Sequence, residues 1–140
     1  MVADFYEVKG KRWEHVLCEV AAAALDAGER CYVWAPSEAK ARELDDLLWT
    51  FLDASFLPHG LWQGEPSSDE PLAVGWRSGN PNGATCLLLG CAASLEQAKE
   101  FRRIVDFVPM EDPALRERAR ERFRALRQAG FSVSFHSAAP

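Results

Sequence analysis

The stretch IVDFVPMEDPALRERARERFRALRQAGFSVSF, Ile104 to Phe135, decides the fold class. Ile104–Val108 is a short apolar run of the kind that fills a strand covered on both faces. The next segment, Pro113 to Ala129, winds as a helix. At 100° per residue it gathers Leu115, Ala119, Leu126 and Ala129 into one apolar stripe, the expected core face. Gly130 supplies the stop, and Phe131–Phe135 is a second strand. Strand, helix and strand in succession form the unit of a parallel sheet, because parallel neighbours need a long crossover.

Working outward, the same alternation continues. Val2–Val8 reads as a strand and Arg12–Ala27 as a helix, with alanines 21 to 24 allowing close packing and Gly28 ending it. Cys31–Ala35 is an apolar strand. Ser37 caps a helix over Glu38–Phe51 that turns Ala41, Leu44, Leu47 and Leu48 inward. Ser55–Gly60 is an apolar loop broken by Pro58, and Leu61–Asp69 a polar connector. Leu72–Trp76 and Thr85–Leu89 are strands, and the glycine-rich GNPNG between them reads as a hairpin turn. Ser94 caps a short helix to about Phe101. The expected fold is α/β: a single-domain Rossmann-like three-layer fold over residues 1–140, with a mostly parallel central sheet flanked by helices.

The chain has 140 residues, 48% of them hydrophobic, enough for a core of its own. No segment approaches the roughly 18 to 20 apolar residues of a membrane span, and the N-terminus lacks a signal pattern. A cytoplasmic protein that binds no membrane is expected. Cys18, Cys31, Cys86 and Cys91 show no metal-ligand spacing, and Cys18 and Cys31 read as small core residues. His15, His59 and His136 are far apart, so no metal is expected.

Charge is distributed unevenly. The first 101 residues hold eight basic and sixteen acidic side chains, and the remainder eight and five, within a net charge of −5. Six arginines and two glutamates crowd the helix from Pro113. Arg116, Arg120, Arg124 and Arg127 fall together on the wheel, with Phe123 between them and the apolar stripe and the glutamates beyond. Guanidinium forks beside an aromatic ring can hold carboxylates while something apolar rests alongside. A solvated charged face is the plainer alternative. Binding of nucleic-acid phosphates is opposed by the overall negative charge. The favoured ligand is short, acidic and partly apolar.

A Rossmann-like topology raises a second possibility, a nucleotide-binding enzyme. The sequence contains neither GxGxxG nor GxxxxGK[ST], and KGKR after the first strand is at best a crude anion contact. Asp106, Glu111 and Asp112 are the nearest candidates for an acidic metal pair. Glu111 and Asp112 sit just before Pro113, where they more simply complement the helix start. No catalytic group and no cofactor are expected.

Several motifs carry a family resemblance. They are IVDFVPMED running into ARERFRALRQAGF, Phe5–Tyr6, LCEVAAAALDAGERCYVWAPSEAKARELDDLLW, SFLPH and PLAVGW, in one order along nearly the whole chain. The chain resembles the chi subunits of the bacterial DNA polymerase III holoenzyme, accessory members of its clamp-loader complex. The resemblance implies a non-catalytic adaptor that touches DNA only indirectly. It implies a pocket for the acidic C-terminal tail of single-stranded DNA-binding protein, which ends in phenylalanine. Carried over by position, Trp49, Val108 and Phe123 enclose that phenylalanine, Arg120 holds its carboxylate, and Arg116 and Arg124 meet the aspartates. The family often has tyrosine where this chain has Phe123, and the segment between Asp112 and Arg120 is one residue longer here. The resemblance further implies that Phe56, Pro58 and Leu61 face the psi subunit, or a helicase at the same surface.

Overall fold

The computed structural model describes residues 1–9, 13–51, 59–65, 67–91 and 93–137. Their elements in chain order are β1 (Val2–Val8), α1 (Trp13–Asp26), β2 (Cys31–Trp34), α2 (Glu38–Phe51), β3 (His59–Leu61), β4 (Leu72–Gly75), β5 (Cys86–Leu89), α3 (Leu95–Ala98), β6 (Arg103–Pro109), α4 (Pro113–Gln128) and β7 (Ser132–His136). The strands form one seven-stranded sheet in the order β3-β4-β2-β5-β6-β1-β7, and every pairing is parallel. This is the expected three-layer α/β architecture.

Strands β2, β4 and β5 are apolar throughout because helices or loops cover both faces. Alternate side chains divide the core in two. On one face Val33, Leu88 and Val105 meet Leu17, Cys18 and Ala21 of α1 and Leu44 and Leu48 of α2. On the other, Phe5, Leu87, Ile104 and Val108 meet Ala119 and Leu126 of α4. Cys18, Cys31 and Cys86 are buried free thiols, and burial pushes the Cys18 thiol up to about 11, so it packs as a small hydrophobe.

The structure corrects the expected hairpin. β4 and β5 are not partners; each pairs with β2, one on either side. The turn-rich residues between them therefore carry the chain across β2. Two asparagines hold this crossing. Asn82 Nδ2 donates to the Cys31 and Glu70 carbonyls at 2.9 and 3.0 Å, while Asn80 both donates to and accepts from the Ala84 backbone. The polar connector also begins later than expected, because His59–Leu61 pairs with β4 as an edge strand. A third correction falls on α4: Leu115, expected in the core stripe, is 41% exposed. Among the described residues no helix is long and apolar enough to cross a membrane.

Candidate functional site

Helix α4 begins where its sequence says it should. Asp112 is the N-cap, its Oδ1 accepting from the amides of Ala114 and Leu115 at 3.0 and 3.1 Å, and Pro113 occupies the first turn. Gly130, with φ of 99°, turns the chain into β7. Ala119 and Leu126 seat the helix on the sheet. Between them Arg122 reaches down to Asp106 of β6, Nε to Oδ2 at 2.6 Å and Nη2 to Oδ1 at 3.1 Å. Asp106 also accepts from the Phe107 amide at 2.8 Å. Burial raises the Asp106 carboxyl above its ordinary range, outweighing the pull of Arg122 and of the amide. This two-pronged pair fixes the rotation of α4 about its own axis.

That rotation turns Arg116 and Arg120 toward the groove between α4 and the outer strands. A cavity of about 320 Å³ lies there, lined by Phe5, Val108, Met110, Arg116, Ala119, Arg120, Phe123 and Phe135. The Phe5 and Phe123 rings meet at 5.3 Å between centroids, tilted by 57°. Arg116 Nη1 donates to the Met110 carbonyl at 3.4 Å. Arg120 is 58% exposed, and its partner is Glu117, 3.7 Å away and similarly exposed. So open an ion pair is weak and easily exchanged. The wall is apolar and both charged lining residues are cationic, an arrangement suited to an apolar group that carries a carboxylate.

Four of the six residues assigned to the tail pocket thus come together: Val108, Arg116, Arg120 and Phe123. Arg124 is exposed one helical turn beyond Arg120 and does not line the cavity. Trp49 is the correction. It lies on α2, over the opposite face of the sheet, with its ring 4.2 Å from that of His59 on β3. Four strands separate β3 from β1, roughly 24 Å at normal strand spacing, so Trp49 cannot wall this cavity. It is 45% exposed and shares the β3 edge with Leu61, which is half-buried. Phe56 and Pro58 lie outside the described residues.

Sequence reasoning missed Phe5, Met110 and Phe135 in the lining, and Arg122 as the anchor. Arg122 was detectable, since on the wheel it falls between Leu115 and Ala129, inside the apolar stripe. An arginine there needs a buried partner, and Asp106 is one strand away.

A second hollow, about 590 Å³, opens at the carboxyl ends of β1, β5 and β6, where a Rossmann-type ligand would sit. Its deepest polar groups, Asp106 and Arg122, satisfy each other, and Asp112 at the rim is occupied in capping α4. Among the described residues no group of His, Cys, Asp and Glu could hold a metal ion.

Comparison with known proteins bears on this arrangement. Residues 1–134 match the family described as DNA polymerase III chi subunit, HolC. The chain is 34% identical over 122 residues to the DNA polymerase III subunit chi of Escherichia coli K12, covering 86% of this chain and 82% of that protein. It is 31% identical to the subunits of the same name from Haemophilus influenzae and Pseudomonas aeruginosa, covering 86% of this chain and 84% and 83% of theirs.

Proposed function

The chain belongs to the DNA polymerase III chi subunit family, which gives it an accessory role in DNA replication, and from that premise we propose that it is a non-catalytic adaptor whose α4 pocket takes the acidic C-terminal tail of single-stranded DNA-binding protein. The observation that carries this reading is an apolar cavity with Arg116 and Arg120 as its charged lining residues. A terminal phenylalanine suits the rings of Phe5 and Phe123, its carboxylate suits Arg120, and aspartates upstream suit Arg116 and Arg124. The other end of the sheet serves as the link to the clamp loader. The psi subunit, or a helicase in its place, docks through Phe56, Pro58 and Leu61, of which Leu61 stands on β3 near the exposed Trp49.

Arg120→Ala tests the assignment. The change removes a guanidinium from a carboxylate, a loss of roughly 1.5 to 3 kcal/mol for a charged hydrogen bond, so tail-peptide affinity should fall about ten- to a hundredfold. Arg120 lies off the buried side of α4, so the melting temperature should hardly move. Wild-type affinity, or a large fall in melting temperature, contradicts the assignment.

Salt gives an independent check. The arginines are exposed, and the screening length shrinks from about 10 Å at 0.1 M to about 3 Å at 1 M. Tail affinity should therefore weaken progressively over that range in a calorimetric titration series. Affinity that stayed flat would mean the arginines are not the contact. Labelled single-stranded DNA should bind only when its binding protein is present; direct binding would favour phosphate recognition instead.

A further inference from the structure

Phe135 is 48% exposed, and it stands on the edge strand β7. Its register partner is Phe5, whose ring meets that of Phe123. Three rings from β7, β1 and α4 thus line one cavity. The next residue holds the strand in place from the opposite face. His136 Nε2 lies 2.9 Å from Asp4 Oδ1, and its ring stacks on Tyr6 at 4.6 Å and 17°. Asp4 is in turn bound by Arg103 at 2.8 Å. Burial opposes the Asp4 charge, but the bonds from His136 and Arg103 prevail and hold its carboxyl below the ordinary range. A large apolar ring left open on an edge strand is an aggregation liability unless something covers it.

We propose that Phe135 is the outer wall of the pocket and makes it select an aromatic over an aliphatic residue at the end of an acidic peptide. This rests on the tail-binding reading of the same site. Aliphatic walls would accept leucine and phenylalanine by size alone. Three rings offer an incoming ring edge-to-face and offset contacts, worth roughly two- to tenfold in affinity beyond the area they cover. Phe135 supplies the side that would otherwise face water, so it closes the pocket over the guest ring. About half of its surface is open to solvent, room for a guest ring to cover.

The experiment is calorimetric titration with two synthetic peptides, identical runs of aspartates followed by an apolar segment, one ending in phenylalanine and one in leucine. The unaltered protein should prefer the phenylalanine peptide by about tenfold, ~1.4 kcal/mol. Phe135→Ala should weaken that peptide about tenfold and the leucine peptide only about twofold, shrinking the preference. Phe135→Leu keeps the bulk and should also lose most of the preference, whereas Phe135→Trp should keep it. An undiminished preference in Phe135→Ala or Phe135→Leu overturns the proposal and leaves the tail-binding reading standing. Failure of the unaltered protein to bind either peptide overturns that reading itself.

Discussion

An acidic tail peptide shortened by its final phenylalanine should show no measurable binding. Burying one phenylalanine ring contributes roughly 1.5 to 3 kcal/mol. Shortening the peptide also moves its carboxylate by about 3.5 Å, one residue's reach, and away from Arg120. A charged hydrogen bond lost there costs roughly 1.5 to 3 kcal/mol more. The complete peptide should bind near micromolar, about −8 kcal/mol, because ordering a flexible chain offsets much of what its contacts provide. A loss on this scale weakens binding by roughly a hundredfold or more. The aspartates that remain are held on an exposed face and contribute little by themselves.

Arg122→Leu should lower the free energy of unfolding by about 3 kcal/mol. Asp106 is almost wholly buried and Arg122 about a quarter exposed. Removing one member of such a pair strands the other charge, at a cost of roughly 3 to 5 kcal/mol. The lower end applies because water reaches the guanidinium. The pH dependence follows from the direction of the Asp106 shift. Burial already raises its carboxyl, and without Arg122 it rises further. A carboxyl raised in the folded state destabilises the fold only above its unfolded value, where the unfolded chain gives up its proton freely while the folded chain must keep it or bear a buried charge. The deficit of Arg122→Leu should therefore be present near neutral pH and fade as pH falls toward the ordinary carboxylate range, where Asp106 is protonated with or without Arg122. Urea unfolding at the two pH values reads this directly. A deficit that grew on acidification would mean the pair is not what holds α4. Adding Asp106→Asn to Arg122→Leu removes the stranded charge and should restore part of the loss.

Most of the fold was legible because its signals are local. The helices at Glu38 and Pro113 each carry an apolar period and a cap, the strand at Cys31 is an unbroken apolar run, and each begins where its sequence indicates. β3 was hidden because three residues around Gly60, beside Pro58, carry no period. The turn between β4 and β5 was misjudged because Gly and Asn mark a reversal equally well in a hairpin and in a crossing; only pairing with β2 distinguishes them. Arg116, Arg120 and Phe123 were legible from the helical wheel, which measures neighbours along one element. Trp49 and Phe135 were not, since their positions depend on strand order and register between distant segments. Trp49 belongs to the β3 edge and Phe135 to the β7 edge, at opposite ends of one sheet.

The central claim, that the α4 pocket receives the end of the single-stranded DNA-binding protein tail, is tested most directly by isothermal titration of the unaltered protein with two peptides. One is the tail of the host's own single-stranded DNA-binding protein, and the other is the same peptide without its last residue. Micromolar binding of the complete tail, with no heat of binding from the shortened one, is the predicted result. Equal binding of the two peptides would contradict the pocket assignment.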